Sequence, residues 1–492
     1  MYGTFSETVD EPVHIAAGMQ WLDRGAYTYQ VANPPLERIA AAVAPYFAGL
    51  RSAGLPDPVA EGNALLYAGG RYVRNLSLFR LGALPFFLLA AATVWWWARR
   101  LFGDSVAVGS LALFSTLPPV LSHSALATTD AAIMGTATLA LFLFTQWLER
   151  PTLLTGALLG AATGLSVLSK FSALLFLPCA AAAIVALRWL LLTRAAPQTG
   201  RSRGPSIALA ALVAAIFVWA GYRFAWGPIH PGGIGLPAPA FVAGVLGMEE
   251  YAAHGHPAFL LGQQSSRGWW YYFPVALLVK TPLAFLLLAA AGTVGVFAGA
   301  KKPSDWRTIA PLAAAAAILV AVLPSRLDIG IRHLLPIYPL LAIAAGLGLR
   351  LLWISPSFGA AGRFTASALL LWQLWSAART YPHYLAYFNE LADRHPERVL
   401  LDSNLDWGQD LLRLSTELAK RGASEVALCY FGNADISRHG LPNPRRLTPN
   451  QPTTGWIAVS EMCLLDPSYW WIKRYEPVCR AGRSIRLYYL EP

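Results

Sequence analysis

The feature that most constrains this chain is a series of apolar runs, each near the roughly 20 residues that a helix needs to cross about 30 Å of hydrocarbon. About ten are legible, at 79–98, 106–121, 126–148, 153–168, 171–192, 207–226, 271–297, 309–323, 334–353 and 364–378. The fourth and fifth nearly fuse, because Ser169, Lys170 and Phe171 barely interrupt them. Of the 492 residues, 55% are hydrophobic and 13% charged, against about 25% charged in a soluble domain. Disorder and an ordinary soluble enzyme are excluded. The expected fold class is a multi-spanning α-helical membrane protein with a small C-terminal α/β domain.

The net charge of +11 does not mark a nucleic-acid binder, because the basic residues form no single patch. They recur between apolar runs, at Arg99-Arg100, from Arg188 to Arg203, at Lys301-Lys302 with Arg307, and at Arg350 with Arg363. If each run crosses once, all of these fall on one side, the cytoplasmic one. Residues 1–78 then form a first extracytoplasmic loop, 79–379 a transmembrane domain and 380–492 an extracytoplasmic domain. Residues 1–78 contain no signal-peptide core, so we expect either a further helix upstream of Met1 or a first span inserted with its N-terminus outside. Cys179 lies in an apolar run, and among Cys429, Cys463 and Cys479 a Cys463–Cys479 disulfide is the expected pair in an oxidising compartment.

In the C-terminal region, 398–401 reads as a strand and 407–421 as a helix with Leu411, Leu412, Leu414 and Leu418 on one face, stopped by Gly422. Strands are expected at 425–431, 456–460 and 485–490, giving a βαβ start. Asp402, Asn404 and Asp406 are either ligand groups at a strand end or turn and cap residues.

Polar side chains at span ends need a reason. Four groups fall on the extracytoplasmic side. Asp10-Glu11 with His14, followed by Asn33-Pro34-Pro35, offers a carboxylate to deprotonate an acceptor hydroxyl, or else is a solvated acidic pair. Asp130, after Thr128-Thr129, could orient an acceptor, hold a divalent cation with Asp10 or Glu11, or cap a helix. Lys170 between two apolar runs either meets a phosphate or snorkels. Arg332-His333 could grip a phosphate, or Arg332 could pair with Asp328. Acids and strong cations on one membrane face suit displacement at a sugar carbon with a lipid phosphate leaving. The loop 227–267 reads as a lid, and its His254-Gly255-His256 as a polar turn rather than a metal site.

The stretch from Asp10 to Gly18, with Tyr27 and Asn33-Pro34-Pro35-Leu36, resembles the first extracytoplasmic loop of the GT-C membrane glycosyltransferases. The likeness is to the dolichyl-phosphate-mannose protein mannosyltransferase-like group, glycosyltransferase family 39, which includes aminoarabinose transferases of bacterial lipid A. Thr128-Thr129-Asp130, Ser169-Lys170-Phe171, 268–274, 332–336, 384–389 and 402–410 are similar to bacterial members. The resemblance implies Asp10 as general base with Glu11 beside it, and Asp130 as the acid of the second extracytoplasmic loop. Lys170 and Arg332, with His333, would face a polyprenyl phosphate, and His14, Tyr27 and Asn33 would contact substrate. The implied reaction is inverting transfer from a polyprenyl-phosphate sugar to a hydroxyl of a protein, lipid or glycan at the periplasmic face of a bacterial inner membrane. No cofactor is implied, and a divalent metal is left open. The alternative is a transporter or flippase of polyprenyl-linked sugars, or a lipid-carrier scaffold, although the sequence shows no internal repeat of broken helices.

Overall fold

The computed structural model describes residues 2–192, 203–230, 232–298 and 305–491. It begins with short helices, α1 (Glu11–Met19), α2 (Leu36–Phe47) and α3 (Pro58–Leu66), in the 1–78 region. Next, α4 (Tyr72–Arg80) runs through a tightened turn into α5 (Leu84–Phe102), giving 31 helical residues that close on Arg99 and Arg100, where the helix dipole favours cations. Then come α6 (Asp104–Ser115), α7 (Pro118–His123), α8 (Asp130–Glu149), α9 (Leu153–Ser169), α10 (Ala173–Leu192) and α11 (Gly204–Gly221). After α11 a short hairpin, β1 (Trp226–Gly227) with β2 (Leu236–Pro237), precedes α12 (Pro239–His254) and a second hairpin, β3 (Ala258–Leu260) with β4 (Gln263–Ser265). The helical part ends with α13 (Tyr272–Lys280), α14 (Leu283–Ala298), α15 (Trp306–Val322), α16 (Ile337–Ile354) and α17 (Gly359–Thr380).

Among the described residues five helices are long and apolar enough to cross a membrane, six if α13 and α14 count as one bent span. Two sequence expectations change here. The run 271–297 is not one helix, because α13 and α14 meet at 110°. Pro282 disfavours helical backbone at Thr281, and the carbonyls freed at the break are taken by Asn389, whose amide donates to Leu278 O (2.6 Å) and Thr281 O (2.8 Å). The run 106–121 divides into α6 and α7. At 12 residues α6 rises only roughly 18 Å.

Small residues set the closest packing. A Cβ on Gly156 or Gly160 of α9 would stand 2.3 Å from the carbonyl oxygen of Ser206 or Ala210 on α11, so these two helices touch backbone to backbone.

Beyond α17 the helix α18 (Leu411–Lys420) precedes a five-stranded sheet of order β6-β5-β7-β9-β8. Its strands are β5 (Val426–Cys429), β6 (Pro444–Arg446), β7 (Gly455–Ser460), β8 (Cys479–Ala481) and β9 (Ile485–Leu490), with β5 parallel to β6 and β7, and β9 antiparallel to β7 and β8. Alternation builds two cores: Val426 and Leu428 pack with Leu411, Leu414 and Leu418 of α18, while Ala427, Ile457 and Val459 pack with Tyr469 and Ile472 on the other face. The expected strand at 398–401 is a short 3₁₀ turn and a single bridge from Leu400 to Leu260, so the βαβ start is absent. The disulfide joins Cys429 and Cys463 rather than Cys463 and Cys479. Cys429 ends β5 and Cys463 follows the adjacent β7, whereas Cys479 sits on the far edge strand. Lys301-Lys302, and Arg194 and Arg201 of the 188–203 basic cluster, lie outside the described residues.

Candidate active site

A cavity of about 1310 Å³ gathers residues from every group singled out by sequence. Asp10, His14, Asn33, Lys170, Arg332 and His333 line it. The charged ones stand at the ends of elements, with Asp10 preceding α1, Lys170 following α9, and Arg332 in the 3₁₀ turn before α16 beside His333, while His14 lies within α1 and Asn33 in the loop before α2. The cavity continues along Phe171–Phe176 and Ala321–Val322, so its polar end opens onto an apolar wall.

Two ion pairs organise the polar end. Arg332 Nη1 donates to Asp10 Oδ2 at 2.8 Å, with the Asp10 side chain 36% exposed and Arg332 11%. Lys170 Nζ donates to Asp130 Oδ1 at 2.6 Å, and Thr128 Oγ1 donates to its other oxygen at 3.1 Å. Asp130 is buried and does not line the cavity; it reaches it through Lys170. The alternative pairing of Arg332 with Asp328 is not seen. Asp328 lies in the loop before the turn and accepts from Trp269 N at 2.7 Å, with burial raising its carboxyl to about 6.

Glu11 differs from its neighbour. It is fully buried, with both oxygens engaged by Arg80 at 2.7 Å, and they also accept from Ala127 N (2.9 Å) and Thr8 N (2.8 Å). Arg80 in turn donates to the carbonyls of Tyr2, Phe5 and Ser6. Glu11 therefore positions the first loop and the strap before Asp130, and offers the cavity no free oxygen.

His14 and Tyr27 are joined by Arg38, which sequence reasoning missed. Arg38 is buried on α2, and its Nε donates to His14 Nδ1 at 2.8 Å. Its other nitrogens donate to Tyr27 Oη (2.9 Å) and Gln30 Oε1 (2.6 Å), and Tyr27 donates to Asn33 O (2.5 Å). With Nδ1 an acceptor, the His14 proton sits on Nε2 as a donor. Burial, reinforced by Arg38, holds this imidazole neutral, well below its ordinary pKa. Tyr27 does not line the cavity but braces Asn33, which does. The signal for Arg38 was a lone arginine in the apolar stretch of α2. Glu37 beside it is buried, accepts from Ala132 N at 2.9 Å in the first turn of α8, and leaves Oε1 unpartnered.

His333 presents a buried, unpartnered Nε2, and burial holds it well below the ordinary imidazole value. From the 227–267 loop, Tyr251, His256 and Phe259 line the cavity, while His254 and His256 each bond a nearby backbone carbonyl through Nδ1. Among the described residues no group of three or more His, Cys, Asp or Glu side chains could hold a metal. The carboxylates considered for such a site face cations instead: Asp10 with Arg332, Glu11 with Arg80 and Asp130 with Lys170.

Residues 75–222 match the sequence profile of the dolichyl-phosphate-mannose-protein mannosyltransferase family, PMT_2. No curated protein matches the chain in sequence. In fold it is similar to ArnT from Cupriavidus metallidurans bound to undecaprenyl phosphate, with a TM-score of 0.52 and 12% identity over 99% of this chain and 95% of that one. The apo state of the same protein gives a TM-score of 0.50 and 14% identity over 98% and 94% of the two chains. The chain thus shares the fold of the two ArnT structures, and its residues 75–222 match the dolichyl-phosphate-mannose-protein mannosyltransferase family model.

Proposed function

We propose that the chain moves a sugar from a polyprenyl-phosphate donor to an acceptor hydroxyl, with inversion. The observation that carries this reading is one cavity holding a half-exposed carboxylate, Asp10, and two cations, Arg332 and Lys170, at the mouth of an apolar wall. A phosphate linking sugar to lipid fits that geometry, its tail along Phe171–Phe176 and its charge at the cations. The similar solved fold carries undecaprenyl phosphate, which favours the same ligand class here.

In the proposed step the acceptor oxygen attacks the anomeric carbon as the carbon–oxygen bond to phosphate breaks. Asp10 takes the hydroxyl proton, a role that contributes roughly 10²–10⁴-fold when the base is well placed. The leaving phosphate gains a second negative charge, which Arg332 and Lys170 offset. Arg332 Nε is buried without a partner, so the guanidinium retains donor capacity beyond its bond to Asp10. An arriving phosphate competes for Arg332 and loosens its hold on Asp10. Asp130 keeps Lys170 in place, and His14 Nε2 and Asn33 offer hydrogen bonds to sugar hydroxyls.

Residues 1–78 and 380–492 are assigned to the extracytoplasmic side of a bacterial inner membrane, around the helices of 79–379, which we take to cross about ten times. The Cys429–Cys463 disulfide fits an oxidising compartment. The acceptor is a protein, lipid or glycan hydroxyl. Charges at the ends of elements favour this over a transporter, whose charges belong near the membrane midplane.

The test is purified protein in vesicles carrying radiolabelled polyprenyl-phosphate hexose. The expected result is release of sugar from the lipid, lost in Asp10→Asn. Movement of intact donor across the vesicle with no release would establish the transporter instead.

A further inference from the structure

Residues 402–410, Asp-Ser-Asn-Leu-Asp-Trp-Gly-Gln-Asp, take no part in the proposed chemistry, yet they touch both sides of the Asp10–Arg332 pair. On the arginine side, Asn404 Oδ1 accepts from Ile331 N at 3.0 Å and Ser403 Oγ donates to Ile329 O. A Cβ on Gly330 would lie 2.1 Å from Ser403 Oγ, so the turn carrying Arg332 is pressed directly onto this segment. Asn404 is itself fixed, its amide donating to Tyr272 Oη at 3.0 Å and its carbonyl accepting from Lys280 Nζ at 2.5 Å.

Trp407 then provides a surface. Its indole is buried, and the Arg332 Cζ stands 4.4 Å from the ring centroid. His123 packs obliquely against the indole, at 6.2 Å between ring centroids. A guanidinium stacked on an aromatic face keeps its edge free for in-plane hydrogen bonds, and the attraction is strongest when both groups are desolvated.

On the aspartate side the same segment fixes the residues before Asp10. Trp407 O accepts from Val9 N at 3.0 Å and Gln409 O accepts from Ser6 N at 3.0 Å. Asn433 donates to Val9 O at 2.8 Å, so both backbone groups of the residue preceding Asp10 are held from the C-terminal region.

We propose that residues 402–410 align the two charges of the cavity, with Trp407 the positioning residue that sets the plane of Arg332 toward an anionic phosphate. This rests on the reading of Arg332 as a phosphate contact. It also gives the C-terminal region a part in building the site, whatever acceptor it meets.

The test is a double-mutant cycle on the full-length protein in detergent, reading its affinity for a polyprenyl monophosphate. Trp407→Leu should weaken binding about tenfold, and Trp407→Phe, which keeps a smaller aromatic face, two- to threefold. In an Arg332→Met background both Trp407 substitutions should cost nothing further. If Trp407→Leu does not fold, the Trp407→Phe arm decides by the same criterion. Unchanged affinity in the Trp407 variants, or equal losses in both backgrounds, would overturn the positioning role. Failure of the wild type to bind, or an Arg332→Met variant with wild-type affinity, would instead remove the phosphate reading and this inference with it.

Discussion

Asp10 and Glu11 are neighbours in sequence and should fail in opposite ways when neutralised. Glu11 and Arg80 are both essentially inaccessible to solvent and meet through two hydrogen bonds of 2.7 Å. Glu11→Gln keeps the volume but leaves the Arg80 guanidinium buried and unpaired, a change that costs roughly 3–5 kcal/mol. That is a large part of the roughly 5–15 kcal/mol that holds a domain together. Asp10→Asn keeps a side-chain oxygen that can still accept from Arg332, and the carboxylate it replaces is 36% exposed, so it should cost roughly 1 kcal/mol. Thermal unfolding in detergent, followed by loss of the monodisperse chromatographic peak, should show Glu11→Gln strongly destabilised and Asp10→Asn near wild type. The double variant Glu11→Met/Arg80→Met should be less destabilised than Arg80→Met alone, which leaves an uncompensated carboxylate. The pair also sets an acid limit. Burial pushes the Glu11 carboxyl up, but Arg80 outweighs it and holds the group below its ordinary value of 4.5. Its stabilisation is complete above that value and is lost as pH falls through the lower folded value. A Glu11→Gln variant within about 0.5 kcal/mol of wild type, or single effects that simply add in the double, would refute the buried-pair reasoning.

Other consequences can be checked alongside. Burial raises the Glu37 carboxyl well above its ordinary value of 4.5, so wild-type stability falls as pH rises above 4.5 toward the folded value; Glu37→Gln should gain in relative stability as pH is raised above 4.5, and a pH-independent difference in melting temperature would contradict it. Gly268 has φ +71° and a Cβ there would stand 2.5 Å from Asp328 Oδ2; Gly268→Ala should cost roughly 1–3 kcal/mol and expose the 266–270 loop to limited proteolysis. Lys170→Met leaves buried Asp130 without a cation and removes the phosphate contact proposed for Lys170, so initial rates should fall at least roughly 100-fold, with Lys170→Arg restoring a measurable part.

What the sequence made legible follows from what each signal depends on. Apolar runs report burial in lipid or protein, and most of the helices stand where the runs are, but a run does not reveal a bend. Pro282 inside 271–297 marked the break, yet the 110° angle depends on Asn389, more than a hundred residues later, satisfying the freed carbonyls. The strands at 426–429, 455–460 and 485–490 were visible as short apolar runs between polar turns. The three-residue β6 and β8 carry too little pattern, and without β8 the partner of Cys463 was misassigned. In the site, residue type identified the charged groups but not their pairing. Asp10 finds Arg332 across 322 positions, a relation no local spacing encodes. Glu11 looked like a second acid of the same kind and became a structural one because Arg80 closes over it. Arg38 carries no local signal of its role, though it fixes the proton of His14 from 24 positions away.

The most direct test of the central claim is transfer of radiolabel from polyprenyl-phosphate hexose to endogenous membrane acceptors by wild type and Asp10→Asn expressed to equal levels. The account predicts labelled acceptor with the wild type and a loss of at least roughly 100-fold in the variant, with the variant still folded. Full transfer by Asp10→Asn would contradict it.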